Sequence, residues 1–367
     1  LRGHRSNVKM SRFLMIDIGA GTMDILVYDT QTDLNYKAVV KSPVRYLAEK
    51  TTAIPGNLLV VGSEMGGGPI TRVLMERTRK AEVVMSLSAS ATLNHDVQKV
   101  KSWGIKVVAD DRADEMRDNP DYALIALSDL EPQRIEQIVK SFGVPYAFDA
   151  VAICAQDHGV PEPGISHLDF RHNMFAASLN EKPYPHMLLY SADQVPDSMN
   201  RLKSIAGSAQ QLPAAEIFVM DSGMAAILGA SLDGRCRNKK RFLVLDIATS
   251  HTVGAAMAAD ELAGFFEYHT QDITLKRLEN LLRDLADGKL SHEQILSEGG
   301  HGAFLRQAVG FSAVETIVAT GPKRKMLADT QLPIEFGAPW GDNMMTGTVG
   351  LLEALRRRKG LEPYVYI

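Results

Sequence analysis

Cysteine is nearly absent from this chain: two occur in 367 residues, Cys154 and Cys236. Two thiols cannot build a disulfide framework, a four-thiolate zinc site or an iron–sulfur cluster that needs three or four cysteine ligands. Long apolar runs are lacking too, none approaching the roughly twenty residues that span a bilayer. The first ten residues are polar and basic, without the apolar stretch of a signal peptide. No sign of charge dominates. The formal net charge is −4, with both signs interspersed, which removes the electrostatic argument for nucleic acid. The run Arg235-Cys236-Arg237-Asn238-Lys239-Lys240-Arg241 is the exception, and reads either as a solvated turn before a buried strand or as a polyanion site. The expectation is a cytoplasmic protein without membrane or nucleic-acid partners. Met10-Ser11 reads as the natural start, with Leu1 to Lys9 as a leader or upstream arm.

What is present is ordinary globular material, 45% apolar and 23% charged, at a length suited to two domains. Phe13 to Ile18 is a short apolar run ending in Gly19-Ala20-Gly21-Thr22, and Met23 to Asp29 reads as its hairpin partner. Lys37 to Val44 adds a strand. A helical period runs from Pro69 to Ser90, and residues 94–150 alternate helix with strand, which implies an α/β layered domain. Ala155 to Pro185 reads as a long polar loop of the kind that carries function. Helix resumes from Val195 to Ser208, followed by a strand at Ile217 to Asp221 and a small-residue helix at Met224 to Gly229. Phe242 to Ile247 is the second strong strand, Val314 to Ala319 the last core strand, and Met344 to Lys359 a closing helix. The lobe boundary falls at the basic turn, giving residues 11–235 and 236–367.

The segments Arg12-Phe13-Leu14-Met15-Ile16-Asp17-Ile18 and Arg241-Phe242-Leu243-Val244-Leu245-Asp246-Ile247 agree at five of seven positions. Each is an apolar strand with one aspartate near its end, then a small-residue turn and a second strand. A carboxylate in such a strand is costly unless a cation or donors satisfy it. Asp17 and Asp246, facing each other across a cleft, suit hydrated magnesium, which takes a few carboxylates plus phosphate oxygens. Gly19 and Gly21 allow backbone N–H groups to approach phosphate closely, and Thr22 adds a hydroxyl.

Asp17-Ile18-Gly19-Ala20-Gly21-Thr22-Met23-Asp24 resembles a phosphate hairpin of the superfamily that contains actin, the large heat-shock chaperones and the sugar kinases. Asp246 to Thr252 resembles its second phosphate hairpin, with Thr249 or Ser250 where glycine is usual. Ile317-Val318-Ala319-Thr320-Gly321-Pro322 resembles its adenosine-contacting turn, with Thr320-Gly321 where two adjacent glycines are usual, so that Thr320, Gly321 and Pro322 are the adenosine candidates. Met224 to Gly229 and Gly347 to Ala354 resemble its two connecting helices. The resemblance implies two ribonuclease-H-like α/β lobes, an actin-like ATPase fold with ATP and Mg2+ in the cleft between them. The whole chain is also similar to a prokaryotic branch labelled pyruvate-formate-lyase activating; two cysteines cannot supply a radical enzyme's cluster.

Asp221, just before the first connecting helix, is the candidate general base by this resemblance, and alternatively a helix N-cap. Gln156, Asp157 and His158 resemble a substrate-side segment of some sugar kinases, and alternatively cap a strand end. His167, Asp169, Arg171 and His172 make a metal or phosphate site conceivable. Gly66-Gly67-Gly68-Pro69 reads as an anion-binding helix start or a flexible turn. Gly299-Gly300-His301-Gly302 either shapes the nucleotide pocket or ends a helix. Three functions follow: a phosphotransferase acting on a small hydroxylated molecule, an ATP-hydrolysing activator or chaperone-like partner of another enzyme, and a filament former.

Overall fold

The computed structural model describes residues 12–162 and 164–366; the Met10-Ser11 start and the Leu1 to Lys9 arm lie outside them. Two six-stranded mixed sheets repeat one plan. In the first, β1 (Arg12–Ile18), β2 (Thr22–Asp29) and β3 (Leu34–Lys41) form an antiparallel meander. An inserted unit follows, with β4 (Asn57–Gly62), β5 (Val83–Ser86), β6 (Lys106–Val108) and β7 (Tyr122–Leu127) in a parallel sheet ordered β6-β5-β4-β7. The first sheet is then completed by β8 (Phe148–Ala155), β9 (Leu189–Ser191) and β10 (Ala214–Asp221), in the order β3-β2-β1-β8-β10-β9. β8 lies parallel to both β1 and β10.

The second sheet is built alike. β11 (Arg241–Ile247), β12 (His251–Ala258), β13 (Glu261–His269) and β14 (Gly302–Leu305) form the antiparallel part, and β15 (Thr316–Thr320) and β16 (Ile334–Phe336) pair in parallel on the other side of β11. Two lobes of ribonuclease-H-like topology with an actin-like arrangement result, as the hairpin resemblance implied. The repeated Arg-Phe-Leu strands occupy equivalent central positions, which is why both read as near-continuous apolar runs: each is covered on both faces.

Two helices join the lobes. Ser222–Ser231 packs on the second sheet, and Thr346–Lys359 on the first. They cross where Gly229 and Gly350 meet: a Cβ on Gly229 would lie 1.8 Å from the Thr346 carbonyl oxygen, and one on Gly350 1.9 Å from that of Ala225. Only hydrogen fits there. The helix Thr346–Lys359 therefore belongs physically to the first lobe's core, although it falls in the 236–367 segment.

Three local readings need correction. The Pro69 to Ser90 period is broken, because the helix ends at Arg77 and the buried strand β5 follows. The Ala155 to Pro185 stretch is not all loop, since His167–Glu181 is a helix capped by Ser166. Its buried side is Arg171, Phe175 and Leu179 at four-residue spacing, and a charged residue in that stripe hides the apolar period. Helix after Val195 begins only at Asn200. The basic run is a turn into β11, with Arg235 Nη1 3.0 Å from Asp233 Oδ1. Among the described residues no helix is long and apolar enough to cross a membrane.

Candidate functional site

A cleft of about 730 Å³ opens where both lobes and the inserted unit meet. Its floor is the two hairpins. In the first, the Gly19 N–H donates to the Thr22 carbonyl at 3.0 Å, closing the turn. Antiparallel register sets Asp17 directly opposite Asp24, so both carboxylates leave the same face. Like charges in such a pair repel unless a cation sits between them. Burial raises the Asp24 carboxyl to about 8, with repulsion from Asp17 adding to it. Burial likewise takes Asp17 to about 7 and Asp246 to about 6. Asp24 Oδ1 is buried and without a partner. Asp17 and Asp24, paired face to face with Asp246 adding to their repulsion and one Asp24 oxygen orphaned, are short of positive charge, and such carboxylates fit a hard divalent cation such as Mg2+.

The second hairpin replaces glycine with bracing from the next strand. Ala248 N–H donates to the His251 carbonyl at 3.0 Å, while the Thr270 hydroxyl donates to the Ala248 carbonyl at 2.9 Å. The two hairpin tips touch, since a Cβ on Gly21 would lie 2.7 Å from the Thr249 side chain. The first turn of the helix Thr346–Lys359 abuts Asp17 so closely that a Cβ on Gly347 would lie 2.0 Å from Asp17 Oδ2. That places a helix N-terminus, with its partial positive charge, against the carboxylate.

Of the adenosine candidates, Pro322 lines the cleft. Thr320 is fully buried, and its hydroxyl donates to Asp246 Oδ1 at 2.7 Å, so it orients that carboxylate. Gly321 takes a positive φ of 88° and packs on the Ile247 backbone, closing the turn beside the hairpin.

Asp221 takes the N-cap position. Oδ1 accepts from the Gly223 and Met224 N–H groups at 2.9 and 3.2 Å, and Oδ2 from Arg171 at 2.9 Å. It is fully buried and does not line the cleft. Arg171 reaches on to Glu267 at 2.6 Å, so one buried guanidinium ties the end of β10 to β13 across the lobes. Gln156 donates to the other oxygen of Glu267.

Gln156, Asp157 and His158 all line the cleft. Asp157 accepts from the Gly159 and Leu202 N–H groups at 2.8 and 2.9 Å, so its carboxylate holds the strand end in shape. His158 is pushed down to about 3 by burial and by the Arg171 charge, and its Nδ1 has no partner.

The four residues of the 167–172 group do not converge. His167 pairs with the Gly159 carbonyl, Arg171 turns into the core, and Asp169 and His172 both meet His292, by a 3.0 Å contact and by stacking. The Gly66 amide is spent on Asp129, which also pairs with Arg201 at 2.7 Å.

Sequence reasoning passed over three features here. Asp24 lay within the quoted motif, and hairpin register alone would have found it. Glu64 hydrogen-bonds His95 at 2.9 Å on the cleft wall, with no sequence signal because both sit on the inserted unit. His251, His269 and His301 come together on the second lobe.

Among curated proteins, none matches this chain. Solved structures with a similar course include a ROK hexokinase from Thermus thermophilus, 11% identical, covering 95% of this chain and 99% of that one, TM-score 0.32. An activator of 2-hydroxyisocaproyl-CoA dehydratase from Clostridium difficile with bound ADPNP is 9% identical over 96% and 99%, TM-score 0.34. MreB5 of Spiroplasma citri bound to ADP is 10% identical over 95% and 97%, TM-score 0.33. A family profile described as "Putative pyruvate format-lyase activating enzyme (DUF1786)" matches residues 65–326, well over half of the chain, and the chain therefore belongs to that family.

Proposed function

We propose that the chain is an ATP-dependent phosphotransferase whose acceptor is a small hydroxylated molecule. The observation that carries this reading is the Asp17–Asp24–Asp246 cluster between two touching hairpins, in a cleft walled by the inserted unit. Gly19, Gly21, Thr22 and Thr249 hold phosphate oxygens, and Pro322 borders the base. Magnesium, held by Asp17, Asp24 and Asp246, would offset the charge of the transferring phosphoryl group. Gln156 and His158 face the acceptor.

Asp221 is a positioning residue in this reading, because both its oxygens are engaged. Glu64 takes the acceptor's proton. It lines the cleft, is hydrogen-bonded to His95, and keeps one buried oxygen without a partner. A cysteine-ligated radical cluster does not fit this chain, because Cys154 and Cys236 are both buried and two thiols cannot supply three ligands.

A second reading, an ATP-hydrolysing activator of a partner enzyme, is favoured by the locked Asp221 and by the Arg171 tie between lobes. Turnover separates the two. ATP consumption measured against a panel of sugars, polyols and hydroxy acids should rise with at least one acceptor and fall at least a hundredfold in Glu64→Gln. Slow hydrolysis unaffected by every acceptor would instead support the activator.

A further inference from the structure

Beside the hairpin cluster, and separate from it, the geometry points to a second metal site: His251, His269 and His301 bind one zinc-class divalent ion, with an open position toward the cleft. The three residues come from different elements. Antiparallel register pairs His251 directly with His269 across β12 and β13, and His301 arrives just before β14, its N–H donating to the Glu267 carbonyl at 2.8 Å. One ring nitrogen from each lies within 4.8 Å of the others, and the Nε2 atoms of His269 and His301 are already 3.0 Å apart. Two nitrogens on one tetrahedral zinc stand about 3.4 Å apart, given Zn–N near 2.0–2.1 Å. Small ring rotations therefore suffice.

The surroundings fit as well. His251 Nε2 is buried and has no partner, so it has a vacant lone pair or an unmet N–H among two other imidazoles. Glu267 Oε1 lies 3.7 Å from His301 Nδ1, on the far side of the ring from the cluster. His301 Nδ1 has no hydrogen-bond partner at that distance, so a small approach of the carboxylate on metal binding would supply the partner that metal-bound histidines commonly have. Glu267 is itself held by Arg171 and Gln156. Three neutral imidazoles without a carboxylate in the set select a borderline transition metal over magnesium or calcium. All three rings line the cleft beside Thr249 and Ser250, which leaves the fourth position open to an oxygen ligand from a bound molecule.

The test uses untagged full-length protein, stripped with chelator and free of nucleotide, so that its outcome is independent of the phosphotransferase reading. Titration with Co2+ should give one equivalent of tetrahedral ligand-field absorption, displaced by Zn2+ in competition. His251→Ala, His269→Gln and His301→Ala should each weaken Zn2+ binding at least tenfold, whereas His172→Ala, which stacks on His292 and is not one of the three converging rings, should not. X-ray absorption of the zinc-loaded wild type should show three imidazole nitrogens at about 2.0 Å, a readout that stands even if a variant fails to fold. No stoichiometric binding, oxygen-only coordination, or undiminished binding in folded His269→Gln would each overturn the site.

Discussion

Arg171 neutralises two buried carboxylates at once. It is the only cation reaching both Asp221 and Glu267 in the described structure, and all three are sealed from water. Removing one member of a buried ionic set leaves uncompensated charge and costs about 3–5 kcal/mol, whereas replacing the whole set with neutral groups is far milder. Arg171→Met should therefore lower the urea midpoint sharply, and the triple change Arg171→Met, Asp221→Asn, Glu267→Gln should recover much of the loss. Equal destabilisation by the single and triple variants would refute the charge argument. At the hairpin, Asp17→Asn and Asp24→Asn relieve the facing repulsion, so each should hold or raise apo stability while abolishing the thermal shift given by ATP with Mg2+. Differential scanning fluorimetry with and without nucleotide reads both effects.

The connecting helices make the clearest prediction for an element. Gly350→Ala places a methyl carbon 1.9 Å from the Ala225 carbonyl oxygen, backbone against backbone. Neither helix can yield without separating the lobes, so a cost of about 3 kcal/mol is expected by denaturant unfolding. Gly234→Ala, which meets nothing, is the control. On the same helix as Gly350, burial works to raise the Glu353 carboxyl, but hydrogen bonds from Arg356 and Arg357 outweigh it and hold the group below its ordinary 4.5. A carboxyl depressed by folding stabilises the protein above its unfolded value and loses that contribution as pH falls through the folded value. Acid unfolding should show this below pH 4.5, and Glu353→Gln should flatten the slope there.

At the scale of the whole molecule, the cleft is lined by both lobes, which share one continuous apolar cluster, and by the inserted unit, which keeps a core of its own. Ligand that binds the folded form alone stabilises it by mass action, by about 2.7 kcal/mol at a hundredfold excess over Kd. ATP with Mg2+ should thus raise the melting temperature by several degrees; no shift at millimolar nucleotide would remove the basis for the proposed function. The inserted unit presents Glu64 to Pro69 and Ala91 to His95 to the cleft. Nucleotide-dependent protection in hydrogen exchange should consequently centre on residues 64–69 and 91–95.

By itself, the sequence determined the local parts whose meaning lies in neighbouring residues. The apolar strands with a terminal aspartate, the glycine turn at 19–21, the small-residue helices and the order in which they occur depend on short-range chemistry, so two α/β lobes could be read from the resemblance those parts carry. Tertiary structure decided everything set by convergence of distant segments. Asp221 is a cap and ion-pair partner because Arg171, 50 residues earlier, is delivered to it. The helix at His167–Glu181 stayed hidden because that arginine occupies its buried stripe. Thr320 orients Asp246 because parallel pairing sets the two residues side by side. His251, His269 and His301 share no motif, and only the antiparallel register of β12 to β14 brings their ring nitrogens within reach of one ion. Sequence spacing encodes contacts along one element; sheet register and helix crossing encode those between elements, and the candidate sites are made of the latter.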